Sequence, residues 1–220
     1  MPVFHIVALT GAKLDQGFMV PEVPVDDAVR MEALRTSGAL DIRARPLFEA
    51  ASKRAADIFD VPLAMVSLID EDRQTIGAAR GPLLAPGAAG RAAVTRDELG
   101  VPRAVSMCSH VVANAQTMIV PDVSRDLRFA GNPALAAKGV RFYAGAPLRD
   151  AAGHVLGTLC LLDVEPRLMN PREVKLLEAM AHGLMESLHQ SALQWNDAAL
   201  VGGGAEQAAS AIVGQPLLAG

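Results

Sequence analysis

Arg141, Tyr143 and Gly145 stand two apart in a chain of 220 residues that has one tyrosine and one tryptophan. In an extended strand such residues share one face, while Phe142, Ala144, Ala146 and Leu148 share the other. The second set is uniformly apolar and reads as core. The first combines a cation, a phenol and a position without a side chain, so it could hold an anion, orient it and leave it room. A purely structural use fits the same residues: Arg141 paired with Asp122 or Asp126, and Tyr143 closing a sheet edge. The connector "PDVSRDLRF" adds Asp122, Asp126, Arg128 and Phe129. A polar loop at a strand end can close over a ligand, and Asp after a strand also serves turn chemistry.

Cys108 and His110, in "SMCSH", raise the chemistry of a nucleophile or a metal ligand. A thiol needs a nearby base or cation to ionise, and residues two apart on a helix do not face each other. Zinc calls for four ligands, and no second Cys or His pair lies near in sequence. Cys160 stands among leucines. Both cysteines therefore read as buried thiols, with a redox sensor as the alternative. Glu178, His182, Glu186 and His189 recur at helical spacing and include a Glu-x-x-His, but no matching carboxylate motif accompanies them. They read as a solvated stripe. "TGAK" lacks the glycine spacing of a phosphate loop.

The elements that must position these residues can be read from periodicity. Asp26 and Asp27 can cap a helix that runs to about Ser37, where Gly38 offers a stop. A second helix begins near Pro46, with Leu47, Phe48, Ala51, Ala55, Ile58 and Phe59 on one face. "LAMVSLID" and "RQTIGAAR" form a hairpin; residues 81–104 read as a long loop. "TMIVPDV" is a strand, and a short helical piece begins at Pro133. "RFYAGAPLRD" and "HVLGTLCLLDV" form a second hairpin. In the latter strand Val155, Leu159 and Leu161 are expected on one face and Leu156, Cys160 and Leu162 on the other. With both faces apolar, the strand should be central. Asn170, Pro171 and Glu173 make a capping box for a helix carried by Leu177, Ala181, Leu184, Leu188, Ala192 and Trp195 over about seven turns. The expected division is an N-terminal extension (1–25), one domain (26–197) and a low-complexity tail (198–220).

A formal net charge of −4 and the absence of any basic run argue against nucleic-acid or anionic-membrane partners. No apolar run reaches the roughly 20 residues of a bilayer span. Two cysteines make no disulfide framework and suit a reducing compartment, so a cytoplasmic location is expected.

The runs "EALRTSGALD", "LFEAASKRAADIFDVPLAMVSLIDEDRQ", "SMCSHVV", "IVPDVSRDLRFAGNPAL", "GVRFYAGAPLRDAAGHVLGTLCLLDVEPR" and "NPREVKLLEAMA" resemble the GAF family of sensory domains over roughly residues 30–190. The resemblance implies an α+β fold, a central antiparallel β-sheet with helices on both sides and long N- and C-terminal helices, and a pocket roofed by loops. It implies a dimeric sensor of a small molecule, usually coupled to a kinase, cyclase or transcription domain. Here no output domain follows, so a homodimer signalling to a partner in trans is expected, with its ligand or cofactor unknown. "QTIGAARGPLLAPGAAGRAA" departs from the family pattern. The same fold serves free-methionine sulfoxide reductases, which makes a redox enzyme or thiol sensor using Cys108 and Cys160 the alternative.

Overall fold

The computed structural model describes residues 14, 15, 17–81, 100–136 and 138–213. A short hairpin of β1 (Leu14–Asp15) and β2 (Phe18–Met19) precedes helices α1 (Asp27–Thr36) and α2 (Arg45–Phe59). Strands β3 (Leu63–Ile69) and β4 (Gln74–Arg80) follow, then α3 (Met107–Asn114), β5 (Met118–Val120) and α4 (Pro133–Ala136). The chain closes with β6 (Phe142–Arg149), β7 (Val155–Asp163) and α5 (Pro171–Val213). Strands β3 to β7 make one antiparallel sheet in the order β4-β3-β7-β6-β5. The architecture is α+β, with β7 central and buried along its whole length. Among the described residues no helix is long and apolar enough to cross a membrane.

The sheet separates two cores. On one face Ala64, Val66 and Leu68 of β3 and Phe142, Ala144, Ala146 and Leu148 of β6 pack with α1, α2 and α5. On the other, Leu63, Met65 and Ile69 of β3 and Tyr143 of β6 pack under α3. Simple alternation misplaces two residues of β7. Leu148 pairs with Gly157 but Arg149 pairs with Val155, so Leu156 is an extra residue in the ladder. This bulge rephases the strand. Val155 therefore joins Cys160 and Leu162 on the α3 face, and Leu156 joins Leu159 and Leu161 on the opposite face. A second irregularity lies at Gly77, between the pairs Val66–Ala78 and Ser67–Ile76. A side chain there would collide with the ring of Phe48, its Cβ falling 2.6 Å from Cδ2.

The helix ends follow from local chemistry. Asn170 Oδ1 accepts from the Arg172 and Glu173 amides at 2.9 and 3.1 Å, and Glu173 Oε2 accepts from the Asn170 amide at 2.7 Å. The expected capping box thus starts α5. Asp26 makes no side-chain cap at α1; the carboxylate that works is Asp27. Its Oδ1 accepts from Arg30 Nε at 2.7 Å and Arg103 Nη2 at 2.8 Å. Arg30 also donates to the Ile69 carbonyl, and Arg103 to those of Asp70 and Glu71. This Arg–Asp–Arg cluster ties α1 to the β3–β4 turn. The end of the expected long loop is fixed too, with the Gln74 amide donating to Val101 O at 2.8 Å; residues 82–99 of it lie outside the described residues.

Helix α5 continues past Leu200 to Val213, through three glycines (202–204) that disfavour helix and an alanine-rich run that favours it. Of the expected tail, 214–220 lies outside the described residues. At Gly38, in the left-handed region at φ 79°, an added Cβ would fall 3.0 Å from Ala192 Cβ. The turn that ends α1 is therefore also a point of close packing against α5.

Candidate functional site

Helix α3, which periodicity did not delimit, is capped by Ser106, whose Oγ accepts from the Ser109 amide at 3.2 Å and bonds the Gln74 side chain. Cys108 is its second residue and points into the sheet. There its Sγ lies 3.8 Å from Cys160 Sγ on β7, and the Tyr143 hydroxyl donates to it at 3.3 Å. Beside them Ser67 of β3 and Thr158 of β7 share a hydroxyl–hydroxyl bond at 3.0 Å. Three adjacent strands and one helix thus gather a belt of thiols and hydroxyls inside a largely apolar core.

Burial opposes ionisation of Cys108, but the Cys160 thiol and the Ser67, Thr158 and Tyr143 hydroxyls outweigh it and draw its pKa below the ordinary thiol value. The contact with Cys108 and full burial push Cys160 well up. Burial and the nearby Cys108 likewise raise Tyr143.

The residues singled out from sequence divide into a buried set and a rim. Tyr143 and Phe129 are each 1% exposed. The Tyr143 ring lies back along β6 over Gly145, where a Cβ would come within 2.3 Å of the phenol oxygen. The room left by Gly145 is thus filled by its own neighbour. Arg141 precedes β6 and forms a two-bond pair with Asp122, at 3.0 and 2.8 Å. That pairing holds Asp122 below the ordinary carboxylate range. Arg128 pairs with Asp126 in the same connector, at 2.9 and 2.6 Å, and its guanidinium sits 5.0 Å above the Phe129 ring.

His110 does not face Cys108 as a base. Its ring stands edge-on to Phe129 at 5.0 Å, and its Nε2 lies 3.1 Å from the Met19 carbonyl. A carbonyl only accepts, so Nε2 carries the proton. Burial depresses its pKa to about 4, with the Met19 bond opposing. The Met19 amide in turn donates to Arg128 O at 2.9 Å, so β2 straps the α3 face. Glu178 accepts from Thr117 at 2.6 Å, and His182 lies 3.4 Å from Glu186 on the exposed side of α5. Thr117, Arg149, Glu178 and His182 line an open groove of about 520 Å³ at the β5 edge. His189 is exposed on the same helix.

The profile of the GAF domain matches residues 43–188, from the turn before α2 to the docked half of α5. The chain belongs to the GAF domain family. As a GAF domain it is 33% identical over 171 residues to the cyclic di-GMP phosphodiesterase PA2567 of Pseudomonas aeruginosa, a match covering 77% of this chain and 27% of that protein. The chain thus spans about a quarter of that relative's length. Among solved structures it is similar to the blue-light absorbing form of the Thermosynechococcus elongatus PixJ GAF domain, with a TM-score of 0.58 at 15% identity, covering 75% of this chain and 94% of that one. The GAF domain of an Acinetobacter phosphoenolpyruvate-protein phosphotransferase gives 0.52 at 17%, covering 74% and 94%. The free methionine-R-sulfoxide reductase of Neisseria meningitidis gives 0.52 at 17%, covering 76% and 92%. These structural likenesses speak for the GAF fold, and function has to be argued from the site.

The approach of Cys108 to Cys160 is the feature sequence reasoning missed. The two lie 52 positions apart in separate motifs, and only the docking of α3 on β7 joins them. Strand alternation did place Cys160 and Tyr143 on definite faces, which is the one signal that pointed toward the belt.

Proposed function

We propose that this GAF domain is the sensing module of a cytoplasmic signalling system, a homodimer that binds a small molecule on the α3 face and passes its state to a partner in trans. The observation that carries this reading is α5. Its inner side (Leu177, Ala181, Leu184, Met185, Leu188) is buried on the sheet, and the same continuous helix runs on to Val213. Leu176 and Leu193 on α5 and Val29 on α1 are exposed and supply apolar area for a second copy.

The ligand floor in this reading is Tyr143 and Gly145, with Phe129 as its cover and Arg141, Asp122, Arg128 and Asp126 at the rim. Because Tyr143 and Phe129 fill the interior, a ligand has to favour an arrangement in which the 122–129 segment stands away from α3. The Pseudomonas relative supports a partner that turns over a cyclic dinucleotide.

Sedimentation equilibrium of the full chain tests the assembly: a dimer is expected, weakened by Leu193→Asp, and a monomer at tens of micromolar overturns it. Native mass spectrometry of protein from its own host tests the ligand. A dimer carrying a discrete extra mass, lost in Tyr143→Ala, is expected; a bare polypeptide mass overturns the binding reading.

A further inference from the structure

We propose that Cys108 and Cys160 are a site of reversible oxidation, converted by hydrogen peroxide into an intramolecular disulfide that fastens α3 to the central strand. This goes beyond ligand sensing and does not depend on it. The geometry has three parts. The two sulfurs, the only ones of their kind in the chain, are 3.8 Å apart, so they need to close by less than 2 Å to reach the roughly 2.05 Å of a disulfide. Tyr143 donates to Cys108 alone, which distinguishes the two thiols. Cys108 also lies in the first turn of α3, at the positive end of the helix dipole, which favours a thiolate.

Both thiols are buried, which slows the reaction without forbidding it. The oxidant is little larger than water, and it reaches the pair when the eight-residue α3 lifts from the sheet. In the first step the Cys108 thiolate attacks one peroxide oxygen. The O–O bond breaks, Cys108 becomes a sulfenic acid, and the departing hydroxide takes up a proton to become water. In the second step Cys160 gives up its proton and attacks the Cys108 sulfur; the S–O bond breaks, the S–S bond forms and a second water leaves. The thiols lose two electrons and the peroxide gains them. A dithiol reductant reverses the change.

The test treats the folded, fully reduced full chain with hydrogen peroxide, then denatures it, alkylates it and maps its peptides. The expected product is a peptide pair joined through Cys108 and Cys160, lost on treatment with dithiothreitol. In Cys160→Ser the second step is blocked, so a sulfenic acid should accumulate at Cys108 and be trapped by dimedone. Circular dichroism confirms that the variant is folded, and Cys160→Ala serves if it is not. Two results overturn the proposal: both thiols still alkylated after peroxide in the folded wild-type chain, or Cys108 advancing to sulfinic acid with no linked peptide.

Discussion

At the scale of single residues, Gly145 and His110 carry consequences that their types alone do not announce. Gly145 is needed because the Tyr143 ring occupies the place of a Cβ. Gly145→Ala must push that ring from its bond to Cys108, and thermal unfolding should show a loss of about 1–3 kcal/mol, the usual cost of overpacking a core. Unchanged stability would mean the ring gives way freely. His110 stays neutral in the folded chain because burial depresses its pKa to about 4 from 6.5, with the Arg128 cation acting the same way and the Met19 carbonyl and Asp126 opposing. The unfolded chain therefore binds the proton first as pH falls. Stability is complete above the unfolded value and is lost as pH drops toward the folded one. Urea titrations at pH 7 and pH 5 should differ by about 2 kcal/mol from this group, and His110→Gln should remove that difference.

At the scale of elements, α1 is held less by its own cap than by Asp27 bridging Arg30 and Arg103. The side chains of those arginines are 2% and 10% exposed, so Asp27→Ala strands two guanidiniums in the interior. A loss of about 3–5 kcal/mol in chemical denaturation is expected, and a loss below 1 kcal/mol would show that water replaces the carboxylate. What was legible in the sequence follows the same division. Elements set by local rules could be read directly: the Asn170–Glu173 capping box, the β6–β7 hairpin and the centrality of β7. The faces of β6 were legible because its alternation is unbroken. Those of β7 were legible only beyond Leu156, because a bulge shifts the phase and leaves no mark in residue type. The Arg141–Asp122 pair was foreseen as one structural option. The clasp of Asp27 on Arg103, 76 positions away, and the meeting of Cys108 with Cys160 depend on tertiary docking that no local pattern encodes.

At the scale of the whole molecule, one sheet serves two chemically distinct interiors, and α5 samples only the hydrocarbon one. Trp195, the single tryptophan, sits where α5 meets Gly38 and lies under the Arg43 guanidinium at 4.9 Å. Its emission therefore reports whether the helix remains seated. Arg43→Ala should shift that emission to the red; an unmoved spectrum would show that the ring does not feel the cation. Beyond Trp195 the helix continues to Val213, roughly 27 Å at 1.5 Å per residue. Mechanically that stretch is a lever arm with its fulcrum at Gly38. On a rigid rod of that length, a tilt of about 10° at the fulcrum carries the far end sideways by about 5 Å, close to one helical pitch. A displacement too small to disturb the packing of Ala192 would thus move the far end of the helix by about one pitch.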